Sequence, residues 1–218
     1  MTEPLVSVVI CVRDGGKYIA QALDSVRAQQ LDNLEIIVVD DGSADDSADL
    51  AERHAMRPRV IRRPALGHPA ALNEGMRQST GRYLALLDCD DIWPADRLKS
   101  MLAAFEVHEP PDIVFGRMVN TDLELRPVGE AGPARLLTAA LVRRTAALAV
   151  GDFRTDVAHG SAVDWISRAT ALGLRFSAVD ELVLFRRVHG ENVGIRERRL
   201  ASQDMLRVIR DHHARQKK

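Results

Sequence analysis

The sequence predicts an α/β domain on a mostly parallel sheet, and three observations lead there. Dense apolar, β-branched runs alternate with helix-periodic segments through the first half of the chain. The links between them are short and rich in Gly, Asp and Ser. No Pro/Ser/Gly-rich linker divides the 218 residues, so one domain is the simplest organisation.

Residues 5–12 (LVSVVICV) read as a strand buried on both faces, as in a parallel sheet. After a turn with Asp14, Gly15 and Gly16, residues 17–30 carry Ile19, Leu23 and Val26 on one helical face. Residues 34–39 form the second strand, ending in Asp40-Asp41-Gly42-Ser43, and 44–54 the second helix. A short strand at 59–62 and a helix at 68–79 follow. Residues 83–87 form a fourth strand, ending in Asp88-Cys89-Asp90-Asp91, and Pro94 is placed to open the next helix. Strand–helix alternation with short links gives parallel pairing. Ligands of open sheets bind beyond the strands' carboxyl ends, where both aspartate clusters fall.

The rhythm changes after residue 110. Short strands are expected at 112–115, 119–125 and 139–143, giving a small antiparallel portion. A helix at 161–172, a strand at 179–188 ending at His189, and a charged helix from 195 complete the reading.

Composition narrows the function. Apolar residues make up 46 % of the chain, enough for a sizeable core, and the net charge of −1 gives no support for a nucleic-acid partner. Cys11 and Cys89 make no disulfide framework and read as buried thiols of a reducing compartment. No secretory signal opens the chain. The apolar stretch 136–150 is split by Arg143 and Arg144 and is too short to span a bilayer. A cytoplasmic location is expected, with peripheral membrane contact left open.

The run Asp88-x-Asp90-Asp91 carries the most chemistry. Carboxylates at i and i+2 leaving a strand end can converge on one hard cation, Mn²⁺ or Mg²⁺, whose remaining positions suit phosphate oxygens. A solvated acidic loop or a helix cap competes with that reading. Asp40 and Asp41 at the same rim can accept hydrogen bonds from a base or ribose, although a capped βα turn is a serious rival reading.

Four segments, VSVVICVRDG, EIIVVDDGSADDS, GHPAALNEG and GRYLALLDCDDIWPADRL, resemble in register the family 2 glycosyltransferases of the GT-A fold. Later, GDF at 151–153, VDW at 163–165 and RRVHGENV at 186–193 resemble the family's G-x-F, E-D-W and R-x-H-x-x-N segments. Val163 departs from the pattern, because an acidic residue is usual there.

The resemblance implies a single Rossmann-like GT-A domain. Residues 1–110 would be its nucleotide-sugar-binding half, 111–195 its acceptor-side half and 196–218 a C-terminal charged helix. The implied activity is metal-dependent, inverting transfer of one sugar from a nucleoside-diphosphate sugar, uridine-type first, to a hydroxyl acceptor of unknown identity. Asp40 and Asp41 would hold base and ribose, and Asp88 the ribose or the metal's waters. Asp90 would bind the metal, with His189 completing the site, and Asp164 would be the general base. Asp14 and Arg62 or Arg63 would lie near the donor pocket. The other histidines, His68 and His159 among them, are expected to be surface or local structural residues. The chain is short for the family, so a homodimer is left open.

The rival from another class is a non-catalytic nucleotide-sugar-binding or scaffold module. A dinucleotide-dependent dehydrogenase is disfavoured, since no G-x-G-x-x-G follows the first strand. A receiver domain would want an acidic pair where Asp14 stands alone, and a nucleotidylyltransferase a Gly-rich loop with basic residues. Processive synthases of the family carry a Q-x-x-R-W segment and membrane helices, which the sequence lacks, so single-sugar transfer is the expectation.

Overall fold

The computed structural model describes residues 4–157, 159–190 and 204–212. The first half alternates β1 (Val6–Val12), α1 (Gly16–Arg27), β2 (Leu34–Asp40), α2 (Ser47–Arg53), β3 (Arg59–Arg62), α3 (His68–Gln78), β4 (Tyr83–Asp88) and α4 (Arg97–Ala103). The second half holds β5 (Ile113–Thr121), β6 (Gly132–Pro133), a 3₁₀ turn (Leu137–Ala139), β7 (Ala140–Arg143), α5 (Arg144–Val150), α6 (Ser161–Ala171) and β8 (Phe176–Arg187). Residues 204–212 form a further helical segment.

All eight strands join one sheet, ordered β3-β2-β1-β4-β7-β5-β6, with β8 pairing β5. The pairs β1–β2, β1–β4, β2–β3 and β5–β8 are parallel; β4–β7, β5–β7 and β5–β6 are antiparallel. This is the expected α/β architecture, with antiparallel strands confined to the later half.

The uniformly buried β1 follows from its position, with helices against both faces. Val6, Val8, Ile10 and Val12 pack with apolar residues of α1, α2 and α4. Val9 and Cys11 pack with those of α3, α5 and α6. Arg97 crosses the second half as a buried cation, donating to the carbonyls of Thr138, Val183 and Ala140 at 2.7, 3.2 and 2.9 Å. Its guanidinium lies 4.0 Å from the Trp93 ring, and burial pushes it down to about 9. Those carbonyls belong to the 3₁₀ turn, β8 and β7, so one side chain fixes α4 against all three.

The sequence reading differs from the structure at three places. The strands expected at 112–115 and 119–125 are the single β5. Gly116 is a packing contact inside it, because a Cβ there would meet Val183 at 2.4 Å. Pro94 does not open α4: its carbonyl accepts from Arg97 N–H at 3.2 Å and from Gln29 Nε2 at 2.8 Å, forming a turn before the helix. The stretch 136–150 divides into a 3₁₀ turn, β7 and α5. The charged helix expected from 195 is described only over 204–212; Arg196–Arg199 and Asn192 lie outside the described residues.

Gly75 provides a test of the packing between α3 and β1. Gly→Ala inside a helix ordinarily stabilises by about 1 kcal/mol. Here a Cβ would sit 2.2 Å from Val9 Cγ1, within a close-packed core. Gly75→Ala is therefore expected to destabilise, by roughly 1–3 kcal/mol, in urea unfolding.

Candidate functional site

The carboxyl ends of β1, β2 and β4 open into one cleft of about 1310 Å³, large enough for a nucleotide with a sugar attached. Its walls include Asp14, Asp41, His68, Asp88, Asp90, Asp91, Arg186 and His189. Among the described residues no helix is long and apolar enough to cross a membrane.

Two loops are laced together to form the floor. After β1 the backbone turns through Asp14 at φ +52, exposing three successive N–H groups. The residues after β2 take all three: Asp14 N–H donates to Ser43 Oγ (3.0 Å), Gly15 N–H to Ser47 Oγ (2.9 Å) and Gly16 N–H to Asp45 Oδ2 (2.9 Å). Ala44 N–H returns a bond to Asp14 Oδ1 at 2.7 Å. Gly15 and Gly16 permit this approach, since a Cβ would meet Cys89 Sγ at 2.7 Å on the first and Asp46 Oδ1 at 2.6 Å on the second.

The acidic turn after β4 is the chemical centre. One oxygen each from Asp88, Asp90 and Asp91 lie within 4.8 Å of one another. An isolated bridge, Ile92 with Phe185 at 3.1 and 2.9 Å in its two hydrogen bonds, draws the end of β8 against this turn. Arg187 N–H then donates to Asp91 Oδ1 at 2.9 Å. His189 Nε2 stands 3.0 Å from Asp90 Oδ2, and the Tyr18 ring stacks on the imidazole at 5.4 Å. On the other side, His68 Nε2 lies 3.2 Å from Asp88 Oδ1.

Crowding sets the protonation of the three acids. Burial, then the charges of Asp88 and Asp90, raise the Asp91 carboxyl well above the usual carboxylate range. Burial and the Asp88 charge raise Asp90, against the opposing pull of His189. Burial works against ionisation of Asp88 too, but His68 and the Arg186 charge together offset it and the net shift is downward. The set suits a hard divalent cation, with oxygen ligands converging from one turn and an imidazole beside them.

The structure separates the two aspartates after β2. Asp40 Oδ1 accepts from Ser43 N–H at 3.2 Å and from the Ser43 hydroxyl, so its carboxyl builds its own turn. Asp41 lines the cleft, and its two oxygens accept from Leu66 N–H at 3.0 Å and Gly67 N–H at 2.8 Å. Those bonds hold the loop that delivers His68. Arg62 pairs with Asp49 at 2.5 Å and Glu52 at 3.0 Å, away from the cleft. Arg63 reaches Asp41 at 3.5 Å. Arg62 ends β3 and Arg63 follows it, and the two take different partners.

Asp164 is not among the described residues that line the cleft. It is 1 % exposed, with Arg168 Nε at 2.8 Å and Arg154 Nη1 at 3.8 Å. Arg168 also donates to Asp152 O at 2.7 Å, so the pair anchors α6 to the preceding loop. The sequence carries the signal for this: Asp164 and Arg168 are spaced i,i+4 on a helix.

Sequence reasoning missed several cleft residues. His68 and His159, expected to be surface or local structural residues, both line it. His68 could have been found, because Gly67-His68-Pro69 opens α3 just past a strand end. Arg186 lay in the RRVHGENV segment without being singled out, and Asp204 carried no local signal.

Residues 7–152, more than half of the chain, match the family described as Glycosyl transferase family 2. The putative glycosyltransferase EpsH of Bacillus subtilis is 40 % identical over 105 residues, which cover 47 % of this chain and 30 % of EpsH. A PGL/p-HBAD biosynthesis glycosyltransferase of Mycobacterium tuberculosis is 32 % identical over 142 residues, 63 % of this chain and 56 % of that protein. This chain thus spans less than two thirds of these relatives' lengths. Among solved structures, S. aureus TarS 1–349 in complex with UDP-GlcNAc matches with a TM-score of 0.78 at 19 % identity, covering 95 % of this chain and 65 % of that one. The mannosyltransferase PcManGT of Pyrobaculum calidifontis, in complex with GDP-Man and Mn²⁺, matches with a TM-score of 0.72 at 21 % identity, covering 96 % and 65 %.

If Asp164 is an anchor, removing its partner must cost stability. Arg168→Ala removes the 2.8 Å partner of a buried carboxylate and is expected to destabilise by about 2 kcal/mol in denaturant unfolding.

Proposed function

The chain belongs to glycosyl transferase family 2, and on that premise we propose that it moves one sugar from a nucleoside-diphosphate donor to a hydroxyl acceptor, with a divalent ion held by the acidic turn. The observation that carries this reading is the convergence of Asp88, Asp90 and Asp91 on the wall of a cleft at the carboxyl ends of β1 and β4.

In this reading Asp90 and Asp91 hold Mn²⁺ or Mg²⁺, with Asp88 and His189 flanking it. When bound, that ion supplies positive charge against the diphosphate as it leaves. Asp41 and the loop it fixes, Leu66 to His68, form the nucleotide side of the cleft. Asp14 holds the adjoining floor. Asp40 supports it from beneath by setting the turn. Uridine donors are the first candidates and guanosine donors the second, since one structural relative was solved with UDP-GlcNAc and another with GDP-Man.

The acceptor attacks the anomeric carbon as the bond to the diphosphate breaks, and inversion follows from a single displacement. The acceptor hydroxyl gives up its proton in that step. Asp164 is the residue the family resemblance implies for taking it, and its pairing with Arg168 at 2.8 Å has to loosen for it to reach the acceptor. The sealed Asp164 also favours a second reading, a module that binds a nucleotide sugar without transferring it. Slow, metal-dependent release of nucleoside diphosphate from a donor supports the enzyme; no release across a panel of donors supports the module.

Two outcomes check the site. Thermal shift with UDP or GDP is expected to rise only when Mn²⁺ is present, and Asp90→Ala is expected to abolish the rise. Because Asp90 and Asp91 are held above the ordinary carboxylate range near ~4, they take up protons earlier on acidification than solvent-exposed aspartates. Protonated carboxyls do not bind the ion. Calorimetric affinity for Mn²⁺ is therefore expected to fall as pH is lowered, beginning at pH values where exposed aspartates are still fully ionised.

A further inference from the structure

The last two residues of β8 are both arginines, and the strand sends them to different fates. Arg187 is 1 % exposed; its Nη2 donates to Gln21 Oε1 at 2.8 Å and its guanidinium lies 4.8 Å from the Tyr18 ring. It is part of the frame that holds Tyr18 and His189 beside the acidic turn. Arg186, on the opposite side of the strand, is half-buried and lines the cleft.

Arg186 sits close enough for its charge to act on Asp88 and Asp91. Yet among the described residues no hydrogen bond or ion pair ties its guanidinium to any side chain. That is unusual beside three carboxylates, since arginine is the side chain best matched to a carboxylate's geometry. The carboxylates turn toward one another, and Arg186 keeps its donors for the cleft. A second cation, Arg13 at the end of β1, is exposed on the same cleft wall. A half-buried guanidinium beside a divalent-ion site, with its donors uncommitted, is suited to a ligand that joins anionic oxygens to a metal. A diphosphate is such a ligand: its oxygens match the guanidinium fork as a carboxylate's do.

We propose that Arg186 grips the diphosphate of the bound nucleotide, donating hydrogen bonds to phosphate oxygens next to the ion held by the acidic turn. The inference rests on the nucleotide-sugar reading of this cleft and names a residue for it that the family resemblance did not. Arg186 and the carboxylates then contact different parts of one ligand. Its removal has opposite consequences for the metal alone and for the nucleotide.

The test uses the full chain as wild type, Arg186→Ala and Arg186→Lys, titrated calorimetrically with Mn²⁺ alone and with UDP or GDP in the presence of Mn²⁺. Arg186→Ala is expected to bind the nucleoside diphosphate about ten- to a hundred-fold more weakly, the loss of a charge-assisted contact. Arg186→Lys should recover part of that loss, because it keeps the charge but not the fork. Mn²⁺ alone should bind Arg186→Ala as tightly as wild type or more tightly, since a like charge has gone. A merely structural role would weaken the metal and the nucleotide together, and that result overturns the inference. Equal nucleotide affinity in wild type and Arg186→Ala also overturns it while leaving the site reading intact. Failure of the wild type to bind either nucleotide overturns the site reading, and the inference with it.

Discussion

Three carboxylate oxygens held within 4.8 Å of one another form an arrangement that repels itself, and the rest of the cleft is organised around that repulsion. Burial makes matters worse, because the low dielectric strengthens every like-charge contact. The protein responds by distributing partial remedies. His68 stands beside Asp88, His189 beside Asp90, and a backbone N–H from β8 beside Asp91. Even so, Asp90 and Asp91 remain held toward their protonated forms. A divalent cation relieves the crowding more completely than any of these neighbours, which is why the cluster reads as a site and not as a solvated loop.

The scaffold supplies the precision that such a cluster needs. The β1 loop gives three consecutive N–H groups to the β2 loop, so the two nearest floors of the cleft cannot slide past each other. The Ile92–Phe185 bridge does the same for the far wall, bringing β8 onto the acidic turn although β7 and β5 stand between β8 and β4 in the sheet. Aspartates are divided between these tasks: Asp40 and Asp45 build turns, Asp41 fixes the approach to α3, and among the described residues those at the end of β4 converge. Asp164 pairs with Arg168 along α6.

The parallel half of the fold was legible because its signals are local. Buried strands of a doubly covered sheet read as apolar runs, and β1, β2 and β4 are such runs ending in polar turns. The acidic turn was legible for the same reason, being four consecutive residues. What needed coordinates was side-chain direction. Asp40 and Asp41 are neighbours in sequence, as are Arg62 and Arg63, and the members of each pair take different partners. His189 was reached through the family resemblance alone. Arg186 opened a quoted segment but was not singled out, because its place depends on a bridge between distant segments. The two short strands expected at 112–115 and 119–125 are one, and β5 runs on through Gly116, where Val183 occupies the space a side chain would take.

The central claim is that the acidic turn and the β8 end together hold one divalent ion facing the nucleotide cleft. The most direct measurement is manganese anomalous diffraction from crystals grown with MnCl₂ and a nucleoside diphosphate. The account predicts one strong peak within about 2.0–2.6 Å of an Asp90 carboxylate oxygen, adjoining the diphosphate. Nucleotide bound in the cleft with no anomalous peak at that turn, or a peak only elsewhere on the molecule, would contradict it.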